Sequence, residues 1–377
     1  MKSTFLVFCV ALFAHAATAA PDEEKLGKSR GYLVGTATTW FFDESVRVGS
    51  FTQQGEIWGI FNGKANEMEP SGTPMPLPKP SEELSWNWSL DQRSYTVQDY
   101  LDRQRVMALL VVKDGQVVYE RYQYDRHDKH RFLSNSMAKT VTALAIGIAQ
   151  REGKISSLDD RADKFVPQLN GTLYGETTLR NLLRMASGAK FEEKYDNNDD
   201  LARYSFAASQ RGIVSAASVI RERLHPQGEK FNYASAETDM LAAVLRETTG
   251  QTLSEYLSSR LWQPMGAESS ALWRADRSGL ERAAGNLNVT AREWARLGWL
   301  LANDGQRPDK PELGQIVPKD FLLDATDAQR QPEAFRPGKA TPYLGYGYQT
   351  WIFPGNHRRF AWLGVYGQAI YVDPAHK

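Results

Sequence analysis

The chain has 377 residues, 42% hydrophobic and 24% charged, with 45 basic residues against 45 acidic ones. That balance is globular and excludes a disordered or fibrous chain. A formal net charge of zero provides no overall field for gathering nucleic acid or anionic lipid, so a substrate held by local contacts is expected.

The first residues read as a secretory signal. Lys2 supplies the positive start, residues 5–14 are an apolar run too short to span a bilayer, and Ala17-Thr18-Ala19 gives a small-residue cleavage pattern, with cleavage expected after Ala19 or Ala20. The single cysteine, Cys9, leaves with the signal, which excludes disulfides, thiolate metal sites and cysteine nucleophiles from the mature chain. Phe8 before Cys9 does not suit a lipoprotein signal. No later stretch reaches the roughly 20 apolar residues of a membrane helix. An exported, periplasmic protein without a membrane span is expected.

Residues 20–94 form an N-terminal segment with β-like runs at 46–51 and 56–61. Pro70, Pro74, Pro76, Pro78 and Pro80 follow at a spacing that favours an extended connector free of hydrogen bonds. Trp86 and Trp88, with Trp58, are expected to clamp this segment to the body rather than bind sugar.

The body occupies 95–377. Residues 106–112 and 117–122 read as two strands joined by a turn with Asp114-Gly115 at the positions that tolerate positive φ. A helix is expected over 136–152, with Met137, Val141, Leu144, Ala145 and Ile148 on one stripe and Gly153 closing it. Further helices are expected at 179–185 behind a Thr178 cap, at 236–248, after the capping box Thr252-Leu253-Ser254-Glu255, and at 290–301. Strand signals return at 346–353, 360–365 and 368–372. Strands at both ends with helices between give an α+β fold, its antiparallel sheet built from the two ends of the chain around a helical insertion.

Ser136-Met137-Ala138-Lys139 places a hydroxyl and an amine on one helical face. The hydroxyl is a weak nucleophile. A lysine whose pKa is depressed by burial can serve as its base, and backbone N–H groups at the helix start can stabilise an oxyanion. The same spelling recurs at Ser187-Gly188-Ala189-Lys190, where the glycine interrupts the helix. Asn232-Tyr233-Ala234-Ser235 precedes the helix at 236, and a tyrosine there can relay a proton beside a lysine. Leu363-Gly364-Val365-Tyr366-Gly367-Gln368 places glycines in a strand, where another backbone can approach closely. His127-Asp128-Lys129-His130 has metal-like spacing but is crowded by Arg126, Lys129 and Arg131, and no metal or other cofactor is expected.

These three segments, in this order, resemble the serine β-lactamase and penicillin-binding-protein superfamily, in its class C branch, and within it the 6-aminohexanoate-dimer hydrolases and esterase relatives. The matching stretches 178–188 and 287–292 extend the resemblance over 95–377. It implies a β-lactamase-like (DD-peptidase) fold and an acyl-enzyme route on a small amide or ester. Ser136 is then the nucleophile, Lys139 the base and Tyr233 the proton shuttle, with an oxyanion hole at the backbone N–H groups of Ser136 and Gln368. Gly367, Tyr366 and Ser235 fall at substrate-binding positions, and Tyr195 matches a loop tyrosine that faces amide substrates. Two departures stand out. Val365 occupies the position where a cation would bind a β-lactam carboxylate, and Ser235 replaces the asparagine of Tyr-x-Asn. Both disfavour the alternatives of a class C β-lactamase or DD-peptidase. A non-catalytic binding protein on the same fold is the other alternative. The family continues past the position of Lys377 with one more strand and a C-terminal helix; without that strand the sheet is expected to be split.

Overall fold

A computed structural model describes residues 21–53, 55, 57 and 64–377. The expected signal, Trp58 and nearly all of the expected strand at 56–61 lie outside the described residues. The strands are β1 (Lys64–Met68), β2 (Asn87–Leu90), β3 (Arg93–Thr96), β4 (Ala108–Lys113), β5 (Gln116–Tyr122), β6 (Arg131–Leu133), β7 (Ala271–Ala275), β8 (Leu287–Thr290), β9 (Gly345–Tyr346), β10 (Trp351–Ile352), β11 (Phe360–Leu363) and β12 (Ala369–Val372). The helices are α1 (Arg47–Ser50), α2 (Val97–Arg103), α3 (Ala138–Arg151), α4 (Leu179–Leu183), α5 (Asp200–Arg211), α6 (Ile213–Ala216), α7 (Ser235–Thr249), α8 (Leu253–Leu257), α9 (Ala291–Ala302) and α10 (Lys319–Thr326).

The local chemistry expected from the sequence is present where capping residues mark it. Thr178, Thr252 and Thr290 each accept a backbone N–H at the start of α4, α8 and α9. Asp114 and Gly115, at φ 51° and 77°, close the β4–β5 hairpin. α3 carries an almost continuous buried surface and packs against the equally buried α7, and together they form the centre of the core.

Three expectations need correction. Residues 46–51 are not a strand: the Asp43 carboxylate accepts the Ser45 N–H and starts a 3-10 turn at Glu44–Val46 that runs into α1. Helical nucleation by a side-chain cap overrides the β-branched residues there. The middle of the chain is not purely helical either. β7 and β8 pair with each other and with β1 and β6 in the order β1-β7-β8-β6. β7 alternates in burial but is only five residues long, and β8 is buried throughout, so its period-two signal vanishes. Lastly, the proline-rich stretch is a hydrogen-bonded strap, not a free connector. The amides of Ser71 and Met75 donate to Ala267 O and Gly266 O, and the Val117 amide donates to Pro78 O. Arg307, Arg296 and Arg292 donate to the carbonyls of Thr73, Met75 and Leu77. Met75 and Leu77 are buried beneath it.

Further along the chain, the expected strand at 346–353 is two short pieces, β9 and β10. They belong to the sheet β12-β11-β10-β9, and β4–β5 is a separate ladder. Both β4 and β12 pack on α9, but no strand among the described residues joins them.

Candidate active site

Ser136 sits in a 3-10 turn, Asn135–Met137, that leads directly into α3. Asn135, immediately before it, has φ 42°. Backbone strain of this kind persists only where the surroundings enforce it, and it clusters at functional sites. One turn on, the Lys139 Nζ donates to Ser136 Oγ at 2.9 Å and to the Ala284 carbonyl at 2.7 Å. Lys139 is 1% exposed, and no carboxylate among the described residues forms an ion pair with it. Burial pulls its pKa down to about 8, the nearby charges of Glu193 and Asp239 oppose that fall, and Arg282 adds to it.

Tyr233 enters from the loop before α7. Its ring stacks on Trp351 at 5.7 Å between centroids and meets Tyr346 edge-on. The same ring lies 5.0 Å from Lys139 Nζ. The Ser136 hydroxyl draws the phenol pKa of both Tyr233 and Tyr195 downward, against the stronger upward push of burial. Burial, reinforced by the Glu193 charge, pushes the Tyr233 phenol well above its ordinary pKa, so it stays protonated through neutral pH. Of the lysine and the phenol, the lysine is therefore the group poised to accept a proton near neutrality.

Glu193 organises the opposite wall. Its carboxylate accepts the Tyr195 hydroxyl at 2.5 Å, the Ser235 hydroxyl at 2.8 Å and the Ser235 N–H at 2.9 Å. Tyr195 is held at φ 60° with its N–H donated to the Asp199 carboxylate, which also caps α5. Asp239 accepts the Ala284 N–H at 3.1 Å, so the residue whose carbonyl receives Lys139 is also held through its own amide. Glu193, Asp239, Ala284 and Asn135 were not singled out by sequence reasoning. The carboxylates act through contacts far apart in the chain, and a carbonyl acceptor carries no side-chain signal.

The segment 363–368 reaches the nucleophile because Gly364 has no side chain. A Cβ there would collide with Gln368 Oε1 and lie 2.9 Å from the Ser134 carbonyl. The turn closes through Gly367 N–H to Gly364 O, with Gly367 at φ 84°. Val365 lines the cavity beside Ser136. The ring of Tyr366 turns away from it, packed on Phe41 and Phe51 beneath the Arg47 guanidinium. Gln368 follows on the β12 side, its Oε1 accepting the Tyr366 N–H. The second Ser-x-x-Lys is dispersed: Ser187 donates to buried Glu237, while Lys190 pairs with Glu222 in solvent. His127 and His130 lie on an exposed turn, ring against ring.

A cavity of about 590 Å³ opens over Ser136, walled by Glu193, Tyr195 and Ser235, by the aromatic run Trp40-Phe41-Phe42, and by residues of β7 and the turn that follows it. This volume suits a small molecule.

Comparison with known proteins agrees with this architecture. A 6-aminohexanoate-dimer hydrolase of Paenarthrobacter ureafaciens is 26% identical over 274 residues, covering 71% of this chain and 69% of that protein. A Bacillus anthracis protein described as a candidate 6-aminohexanoate-dimer hydrolase superposes with a TM-score of 0.79 at 25% identity, over 92% of this chain and 90% of its own. The octameric penicillin-binding protein homologue of Pyrococcus abyssi shares the fold, with a TM-score of 0.56 at 18% identity over 74% of this chain and 70% of its own. The Beta-lactamase family matches residues 95–377, and the chain accordingly belongs to the β-lactamase family of serine hydrolases.

Proposed function

We propose that this protein hydrolyses a small amide or ester through an acyl-enzyme on Ser136. The observation that carries the reading is the 2.9 Å contact between Ser136 Oγ and a lysine whose burial brings its pKa to about 8. Neutral Lys139 takes the Ser136 proton as Oγ adds to the substrate carbonyl carbon. The negative charge forming on the carbonyl oxygen faces the backbone N–H groups of Ser136 and Gln368. The Tyr233 hydroxyl relays a proton to the leaving nitrogen or oxygen, the carbon–leaving group bond breaks, and Ser136 stays acylated. Water then adds to the ester carbonyl with Lys139 again as base. The acid is released and the serine regains its proton.

The likeness to 6-aminohexanoate-dimer hydrolases supports an amide or ester substrate. Apolar Val365 at the cavity wall argues against efficient penicillin recognition through that position. The direct test is labelling of the full chain by a fluorophosphonate, with turnover of p-nitrophenyl butyrate. Ser136→Ala should abolish both, and Lys139→Ala should abolish turnover at neutral pH. Labelling that survives in Ser136→Ala overturns the nucleophile assignment.

Export is part of the same reading, supported by the charged, apolar and small-residue sequence of the first twenty positions. Intact mass of protein from a periplasmic extract should correspond to a chain starting at Ala20 or Pro21. Uncleaved protein in the cytoplasmic fraction contradicts it.

A further inference from the structure

The hairpin that carries Gln368 has a closed end and an open one. β11 and β12 pair from Leu363↔Ala369, beside the 364–368 turn, to Phe360↔Val372. Just past that second pair the chain places His357 before β11, and Asp373 and His376 after β12. Among the described residues, these three bring one possible ligand atom each to within 4.8 Å of one another. Asp373 Oδ2 is the common point: His357 Nε2 lies 3.2 Å from it and His376 Nδ1 2.9 Å. The two imidazole rings meet edge to face, 5.1 Å between centroids. A strand ladder separates the histidines in the chain, so no sequence spacing announces the cluster.

Other atoms hold these side chains in place. Asp373 Oδ1 accepts the N–H groups of Ala375 and His376, which closes the turn after β12 and orients the carboxylate. His357 Nδ1 lies 3.1 Å from Asn356 Oδ1. With its Nδ1–H donated there, a neutral His357 turns the Nε2 lone pair towards Asp373. A lone pair and a carboxylate oxygen at 3.2 Å repel each other unless a positive centre lies between them. The neighbouring cations are committed elsewhere. Arg358 pairs with Asp304, Arg359 donates to Pro354 O, and Lys377 Nζ donates to Ala302 O and Asn303 Oδ1. Ligands of a tetrahedral zinc ion stand about 3.3 Å apart, given bonds of about 2.0 Å. The two nitrogen–oxygen separations at Asp373 are close to that spacing.

We propose that His357, Asp373 and His376 bind a divalent cation of zinc's class, with water completing its coordination. Two imidazoles and one carboxylate suit zinc and its late first-row neighbours, whereas magnesium and calcium prefer oxygen ligands. The His376 side chain is 72% exposed, so the ion has access from solvent. Once bound, it ties the turn before β11 to the turn after β12 and staples the open end of the hairpin. The site takes nothing from the hydrolase reading, and its occupancy is measurable whether or not Ser136 is a nucleophile.

The test is calorimetric titration of Zn2+ into the full chain, free of any histidine tag, stripped with EDTA and then desalted. One Zn2+ per chain should bind at micromolar concentrations and raise the melting temperature, and Mg2+ should do neither. His357→Ala and His376→Ala should each weaken binding by about tenfold or more, with far-UV circular dichroism unchanged. His127→Ala, on the exposed turn where His127 and His130 meet, should bind Zn2+ like the parent. Should His357→Ala fail to fold, the exposed His376 decides the question by itself. Absence of Zn2+ binding, binding that persists in His376→Ala, or binding that is lost in His127→Ala overturns the site.

Discussion

Lys139 is subject to opposing influences. Burial lowers its pKa, whereas the Glu193 carboxylate across the cavity and Asp239 behind it raise it. Asp239 is itself buried against Tyr204, Arg282 and the Ala284 amide, so Glu193 is the charge that borders the open cavity. Removing that charge should move the ionisation of Lys139 downward. In Glu193→Gln the acidic limb of the kcat/KM profile is expected to shift to lower pH, with Glu193→Asp restoring it; a limb that stays in place contradicts the electrostatic role of Glu193. At this scale the Ser-x-x-Lys and Tyr233 positions could be read from the chain, because helical spacing places Ser136 and Lys139 on one face. The duplicate at Ser187 could be discounted from Gly188 alone. Glu193 and Asp239 could not be found this way, since nothing in a lone carboxylate says which hydroxyl or peptide it will hold.

Among the elements, the strap over 69–80 shows how a local signal can mislead. Alternating prolines predict extended backbone, and extended it is. Its carbonyls, however, are captured by arginines from α9 and the loop after it, more than two hundred residues away in sequence. Arg296 is the most committed of these. It is 3% exposed, bonds Met75 O, and pairs with Glu293 and Glu268 at 2.6 Å each. Replacing it strands the buried Glu293 carboxylate. Arg296→Met should therefore lose about 3–5 kcal/mol of stability, the usual cost of breaking a buried pair from one side. Urea unfolding measures this, and a loss under about 1 kcal/mol, as for an exposed pair, contradicts it. Caps and hairpin turns were legible because one or two residues dictate them. β7 and β8 were not, because short or fully buried strands lose the alternation that would identify them.

For the molecule as a whole, the packing of α3 on α7 buries ionisable groups as well as apolar ones. Glu237 on α7 is 1% exposed, accepts the Ser187 hydroxyl at 2.5 Å, and has a second oxygen without a partner. Burial raises its pKa to about 8. The folded state therefore keeps a proton that the unfolded chain releases above about 4.5. That contribution to stability is complete below the unfolded value and is lost as pH rises through about 8. The parent protein should lose melting temperature between about pH 5 and 8 more steeply than Glu237→Gln does. Equal slopes in calorimetric scans contradict this assignment. The α+β architecture was legible from strands at the chain ends and helices between them. The second sheet, which joins β1 to β7 and β8, depends on pairings over some two hundred residues that no local pattern encodes.

The account turns on Ser136 being activated by an uncharged Lys139. The most direct measurement is the rate at which a fluorophosphonate phosphonylates the full chain as a function of pH, with the adduct mapped by mass spectrometry. The adduct should fall on Ser136, and its rate should rise with a midpoint near pH 8 as Lys139 loses its proton. An adduct on another residue, or a Ser136 rate indifferent to pH across that range, contradicts the account.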